Sequence, residues 1–287
     1  MALKILKTGV AGAGAMGLGI AQVLGQSGFE VVLFDVNAQQ LDKAKAEITK
    51  NLEAAVSKNK MSAGERDKTL SQITFSTDIN ALKADFIIEA IVEKLEVKQE
   101  LFTKLAAINS GETILATNTS SIPVTRIAHG IKNPERVVGM HFFNPAHIMK
   151  LVEVITGAET SGEVAETIKE LTKALGKTPV MCKDSPGFIV NRVARNYYVE
   201  SLKILEERIA SIETIDALME SAGFKMGPFK LMDFVGNDIN FAVTSSLFES
   251  FHGEAKFRPS RIQQQKVDAG HLGKKTGKGF YDYKNTP

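Results

Sequence analysis

The chain has 287 residues, 44% hydrophobic and 24% charged, enough for a large domain and a smaller one, each with its own core. Its 35 basic and 33 acidic residues leave a charge of +2, which gives no reason to expect a nucleic-acid partner, though a few local lysines could hold an anionic small molecule. The single cysteine, Cys182, excludes an internal disulfide, no run of 18 apolar residues offers a membrane span, and the first fourteen residues lack a signal-peptide layout, so a cytoplasmic protein is expected.

Residues 5–10 form a short apolar run ending in glycines, the pattern of a first strand. Residues 16–26 have helical spacing and stop before Gly28, a candidate C-terminal cap. Glu30–Phe34 is a β-branched run ending at Asp35. Residues 39–58 read as a long charged helix with Leu41, Ala44, Ile48, Leu52 and Val56 on one face. A buried strand follows at 85–91 and a helix at Leu95–Ile108. Further strands are expected at 113–116, 136–142, 151–155 and 178–182, with a helix at 167–175 closed by Gly176. Strands alternating with helices imply a parallel sheet with crossover helices. Beyond Pro186 the pattern is helical only, at 188–208, at 213–222 and from Pro228 onward, which puts a domain boundary at about residue 185.

Gly12-Ala13-Gly14-Ala15-Met16-Gly17 is a GxGxxG loop. The pattern alone is weak, but here it follows a strand, opens a helix and is succeeded by an acid, Asp35, at the end of the next strand. The first glycine permits the tight turn, the second lets the backbone approach a pyrophosphate, and the third lets helix and strand pack closely. The helix N-terminus offers free N–H groups to the phosphates. Asp35 would accept hydrogen bonds from the adenosine ribose and repel a 2′-phosphate, which favours NAD over NADP. The alternative is a glycine turn that binds nothing. With this loop the architecture reads as α/β. A Rossmann-type doubly wound sheet is expected over residues 1–184, followed by an all-α C-terminal domain over 185–287.

Ligands of open α/β sheets bind at the carboxyl ends of the strands. Those ends carry Asp35, then Glu89 and Glu93, then Asn118-Thr119-Ser120-Ser121, then His141 before Phe142-Phe143-Asn144-Pro145. An alcohol losing hydride from carbon must also lose its O–H proton, and His141 is the candidate acceptor. Glu153 sits within the apolar run Leu151-Val152-Glu153-Val154-Ile155. It reads equally as a buried partner of His141 or as a solvent-facing residue of an edge strand. His147 has no carboxylate or thiol at ligand spacing, so no metal is expected.

These residues resemble the L-3-hydroxyacyl-CoA dehydrogenase family in its short bacterial form. The resemblance runs through "EAIVE" at 89–93, "TNTSS" at 117–121, "GMHFFNPAHIMKLVEVI" at 139–155, "KDSPGFIVNR" at 183–192, "GPFKLMDFVG" at 227–236 and "GKKTGKGFYDY" at 273–283. It implies His141 as catalytic base, Glu153 as the carboxylate that orients it, and Ser120 and Asn191 against the substrate oxygen. It also implies cofactor contacts from the glycine loop, Asp35, Glu93, Lys98, Ser120, Asn144 and Lys275. The helix at 39–58 would belong to a projecting helical hairpin that meets coenzyme A through Lys58. Asn51 stands where the family can present serine, a departure that leaves its own contact open. By themselves the lysines of that helix, and Lys274, Lys275 and Lys278, read as solvated. A homodimer through the C-terminal domain, with no nucleic-acid or membrane partner, is implied. Two rival functions are a dehydrogenase of a 3-hydroxy acid without coenzyme A, and an NAD-binding protein without catalysis.

Overall fold

The computed structural model describes residues 5–284, so the outermost residues of the two expected domains, 1–4 and 285–287, lie outside it. The chain divides into two compact units, with Ser185 ending the first and Pro186 opening the second. The first unit runs β1 (Lys7–Ala11), α1 (Ala15–Gln26), β2 (Glu30–Phe34), α2 (Ala38–Ser57), α3 (Ala63–Ser71), β3 (Ile73–Ser76), β4 (Phe86–Glu89), α4 (Leu95–Ile108) and β5 (Ile114–Thr117). It continues with α5 (Val124–Ala128), β6 (Val137–Phe142), β7 (Leu151–Thr156), α6 (Gly162–Ala174) and β8 (Thr178–Lys183).

The eight strands lie in the order β3-β2-β1-β4-β5-β6-β7-β8. From β1 the chain winds outward to β2 and β3 on one side, then returns to β4, β5 and β6 on the other. The strand order therefore switches between β1 and β4, where ligands of doubly wound sheets bind. The strands through β6 are mutually parallel; helices carry the crossovers from β1 to β2, β2 to β3, β4 to β5 and β5 to β6, and a short link with one 3-10 turn (Ile79–Ala81) carries the return from β3 to β4. The central strands are buried on both faces: Val10, Leu33, Phe86, Ile88, Ala116 and Val138 are all at or near zero exposure. Against this core α2 lays Leu41, Ala44, Ile48 and Leu52, the face expected from spacing, while its charged residues point outward.

The expectation of an all-parallel sheet needs correction. β7 is antiparallel to β6, and β8 then runs parallel to β7. Residues 143–150 are too few for a helical crossover, which needs a dozen or more residues, so the chain reverses directly. Three further elements are absent from the sequence reading: α3, β3 and α5. α2 and α3 form the hairpin implied by the resemblance. Its turn places Asn59 at φ 53°, with Lys60 N–H donating to the Ala55 carbonyl at 2.9 Å, a left-handed helix stop. α3 then opens with a reciprocal cap between Ser62 and Glu65.

The second unit contains α7 (Val190–Glu206), α8 (Ile212–Ser221), α9 (Pro228–Val235), α10 (Asn237–Ser250) and α11 (Arg261–Asp268), and no strand among its described residues. Tyr198, Leu202, Ile215, Phe229, Met232 and Phe280 form its core. Buried Asp233 holds the closing segment, accepting hydrogen bonds from Phe280 N–H and Tyr281 N–H at 2.9 Å and from Tyr283 O–H at 3.1 Å. A Cβ on Gly279 would lie 2.0 Å from that carboxylate, so only glycine lets the segment come so close. No helix among the described residues is long and apolar enough to cross a membrane.

Candidate active site

The glycine loop hangs from the end of β1. Gly12 has φ 103°, and its N–H donates to the Phe34 carbonyl at 2.7 Å, which ties the loop to β2. A Cβ on Gly17 would lie 1.7 Å from the Gly12 carbonyl oxygen, so the third glycine seats helix against strand. Gly14 has no atom within 4 Å of where its Cβ would be; here the missing side chain leaves open space at the helix start. Asp35 at the end of β2 accepts from Ala13 N–H at 2.8 Å and from Asn37 N–H at 2.9 Å. Sequence reading gave Asp35 to the ribose alone; it also braces the loop from below.

A cavity of about 660 Å³ opens over this loop. Gly12, Gly14, Ala15, Met16 and Asp35 line it, all foreseen, together with apolar residues that were not, including Val36, Ile79 and Val92. Val36 is 84% exposed and Val92 54% exposed. Exposed apolar side chains gathered around one cavity beside an acid suit a flat aromatic base next to a ribose. The open space at Gly14, the donor-rich α1 N-terminus and Asp35 together fit the pyrophosphate, ribose and adenine of NAD. The signal for Val36 was legible, since an apolar residue directly after a strand-end acid has no core to enter.

Further along the strand ends lies a charged network. Glu89, fully buried at the end of β4, pairs with Lys98 at 2.5 Å and accepts from Thr117 Oγ1 at 2.8 Å. Lys98 also meets Glu93 at 3.1 Å. Expected against the cofactor, Lys98 is instead 1% exposed, and what it touches is these two carboxylates. One Glu93 oxygen collects Thr119 Oγ1 at 2.6 Å, Ser120 N–H at 3.0 Å, Ser121 N–H at 3.2 Å and Ser121 Oγ at 2.9 Å. Burial pushes the Glu93 carboxyl upward, but the Lys98 ammonium and these donors outweigh it and hold the group below its usual range. Glu93 is thus the anchor of the loop that carries Ser120. Asn118, just before it, accepts from Phe142 N–H at 2.8 Å and joins that loop to the end of β6.

His141 and Glu153 face each other directly across β6 and β7. His141 Nδ1 lies 2.8 Å from Glu153 Oε2; the histidine is 6% exposed and the glutamate fully buried. The reading left open for Glu153 is thereby decided in favour of the buried partner. The Phe143 ring packs 4.6 Å from the imidazole. The reversal that follows carries the exposed Asn144 and is fastened by Lys177, whose ammonium donates to the Ala146 and Met149 carbonyls at 2.6 and 2.8 Å.

The remaining expected residues lie on other elements. Asn51, on α2, donates to Gln22 Oε1 at 3.3 Å, while Lys58 is exposed at the hairpin tip. Asn191 is the second residue of α7 in the second unit and is half-buried. Lys275, also in the second unit, pairs with Asp238 at 2.7 Å.

Residues 7–185 match the family described as "3-hydroxyacyl-CoA dehydrogenase, NAD binding domain", and residues 187–283 match its C-terminal domain. The chain belongs to the 3-hydroxyacyl-CoA dehydrogenase family. It is 50% identical over 286 residues to the 3-hydroxyadipyl-CoA dehydrogenase of Escherichia coli, covering 99% of this chain but only 60% of that protein. It is 42% identical to the 3-hydroxybutyryl-CoA dehydrogenase of Bradyrhizobium diazoefficiens, covering 99% of this chain and 97% of that one. The crystal structure of (S)-3-hydroxybutyryl-CoA dehydrogenase from Ralstonia eutropha superposes with a TM-score of 0.95 at 37% identity, covering 98% of this chain and all of that one. Membership in this family makes the chain an NAD-dependent dehydrogenase by class.

Proposed function

We propose that the protein oxidises (S)-3-hydroxyacyl-CoA thioesters to 3-oxoacyl-CoA and catalyses the reverse reduction, with short acyl chains preferred. The observation that carries this reading is the buried His141–Glu153 pair, placed in the row of strand ends that begins at the glycine loop. When bound, NAD supplies the hydride acceptor at its nicotinamide ring. The loop from Gly12 to Gly17 holds the pyrophosphate on backbone N–H groups, and Asp35 receives the ribose hydroxyls. Asp35 also disfavours a 2′-phosphate by charge.

His141 takes the proton of the 3-hydroxyl group. With Nδ1 engaged by Glu153, proton exchange with substrate falls to Nε2. As the ring becomes a cation, the Glu153 carboxylate stabilises it at 2.8 Å in surroundings that exclude water. Ser120 and Asn191 donate hydrogen bonds to the reacting oxygen. Glu93 and Lys98 serve the cofactor side by fixing the Ser120 loop, and Asn144 and Lys275 are the further residues assigned to cofactor contact. Lys58 and Asn51 meet the coenzyme A portion from the hairpin. In the reverse direction His141 returns the proton as the acid.

The second unit carries Asn191 and joins two copies into a homodimer. Phe234 at 63% exposure and Ile239 at 50% support such a contact, since both are large apolar side chains left in solvent. A cytoplasmic location accords with the single reduced thiol. The reading is tested with acetoacetyl-CoA and NADH. His141→Ala should lower kcat by about 10²–10⁴ while NADH still binds, and NADPH should replace NADH poorly. Near-normal turnover by His141→Ala would overturn it.

A further inference from the structure

A carboxylate that takes no part in the chemistry is sealed at the end of β4. Glu89 is fully buried and directly precedes residues 90–92, which line the cofactor cavity. Among the described residues, every group that meets its side chain is a donor. Oε1 accepts from Lys98 Nζ at 2.5 Å and from Ile91 N–H at 2.7 Å, and Oε2 accepts from Thr117 Oγ1 at 2.8 Å.

Stability alone does not call for a carboxylate here, since apolar residues of similar volume often match or exceed a buried ion pair such as Glu89–Lys98. What the carboxylate adds is two oxygens directed at different loops. Oε1 fixes Ile91. The residue before it, Ala90, donates its N–H to the Ala11 carbonyl at 2.8 Å, and its own carbonyl oxygen lies 2.6 Å from where a Cβ on Gly12 would be. Holding Ile91 therefore holds one wall of the cavity against the glycine loop. Oε2 takes the hydrogen of the Thr117 hydroxyl, which leaves that oxygen free to accept from Thr119 N–H at 3.2 Å. Asn118 N–H donates to the Glu89 carbonyl at 2.8 Å. Asn118 and Thr119 lead directly into Ser120, and Thr117, fully buried, has no water to replace these bonds.

Ser120 holds the reacting oxygen in the function proposed above, on which this inference rests. We propose that Glu89 is a positioning residue for both halves of the reaction: it sets the wall of the cofactor cavity through Ile91 and the placement of Ser120 through the Thr117 hydroxyl. Glu93 grips residues 119–121 from the more exposed side, and Glu89 with Thr117 grips the same loop from the interior. Lys98 bridges the two carboxylates, at 2.5 Å from Glu89 and 3.1 Å from Glu93.

Thr117→Val removes the hydroxyl, keeps the volume and leaves Glu89, Lys98 and Ile91 in place. In acetoacetyl-CoA reduction it should lower kcat by roughly 10- to 100-fold, while NADH affinity, read by fluorescence, stays native. Thr117→Ser restores the hydroxyl and should recover most of the rate. In a Ser120→Ala background Thr117→Val should cost little more, because its effect passes through Ser120. Amide hydrogen exchange of residues 118–121 should rise in Thr117→Val, which reads the loop's placement without turnover. In Glu89→Gln the amide oxygen must stay toward the Lys98 ammonium, so Ile91 N–H keeps an acceptor but loses its charge, and NADH affinity should fall by roughly 10-fold. The inference is overturned if Thr117→Val keeps kcat within about threefold of native with unchanged exchange. It is also overturned if Thr117→Val costs as much in the Ser120→Ala background, if Thr117→Ser does no better than valine, or if Glu89→Gln binds NADH as the native protein does. Absence of turnover by the intact protein would remove the proposed activity, and the exchange and NADH-affinity results would still decide the role of Glu89.

Discussion

Replacing Glu153 by glutamine keeps the side chain's size and removes its charge. In the native protein Oε2 lies 2.8 Å from His141 Nδ1, with both side chains out of solvent. Charge-assisted bonds in such surroundings contribute about 1.5–3 kcal/mol, which corresponds to roughly 10- to 150-fold in rate if the interaction develops only as the ring becomes a cation. A second effect adds to it. The glutamine amide can donate to Nδ1 and leave the ring proton on Nε2, which disables the base. Together these place the loss in kcat at about 10²–10⁴. The assay is reduction of acetoacetyl-CoA followed by NADH absorbance, with NADH binding measured separately by fluorescence. Binding should stay close to native, because the glycine loop hangs from β1, and β4 and β5 separate that strand from β6. A kcat within about threefold of the native value would mean that the carboxylate does not act on the ring. Parallel loss of turnover and NADH binding would mean that Glu153 serves the fold instead.

Gly17→Ala places a methyl group 1.7 Å from the Gly12 carbonyl oxygen, so α1 must withdraw from β1; NADH binding should be lost while the second unit stays folded, as read by fluorescence and circular dichroism. Glu93 is held below its usual carboxylate range, so its contribution to stability is complete above about pH 4.5 and disappears as pH falls through the lowered value. Glu93→Gln should therefore flatten the fall of Tm with acid below that pH and also lower kcat by loosening the Ser120 loop; an unchanged Tm–pH curve would refute the anchoring role. Cys182 has its thiol pushed up to about 12 by burial and by the Glu153 and Asp184 carboxylates, so alkylation by iodoacetamide at pH 7.5 should be far slower than for a free thiol.

Periodicity carried most of the first unit. Glu30–Phe34 and Leu95–Ile108 match β2 and α4 at both ends, and the apolar face foreseen for the long helix is the one that α2 buries, apart from Val56, which is only partly covered. α3 escaped although Ser62 and Glu65 spell a capping box, because its nine residues bury only Thr69 and so show no apolar stripe. β3 has four residues, too short for alternation to declare itself. The site was legible where chemistry is local, at the glycine loop and Asp35. It was not legible where partners come from distant strands: nothing in the sequence says that Lys98 would enter the interior to meet Glu89, or that one oxygen of Glu93 would gather four donors from residues 119–121. Such contacts depend on the order in which strands lie side by side.

The reversal after β6 has a consequence for the chemistry. A parallel strand reached through a crossover would present its own C-terminal residues at the site edge, and those residues here are Ile155 and Thr156. Running antiparallel, β7 instead starts at that edge, so its third residue, Glu153, stands across from the next-to-last residue of β6, His141. Because side chains alternate between sheet faces, register and direction must both be right for the two groups to share a face. A one-residue slip would put Val152 or Val154 opposite the imidazole and turn the carboxylate to the other side. The eight residues 143–150 thus set the strand direction, and Lys177, bonded to two carbonyls of that segment, pins it. Lengthening the reversal by one residue should disturb the His141–Glu153 pairing even though no catalytic residue has changed, and kcat should fall with NADH binding preserved.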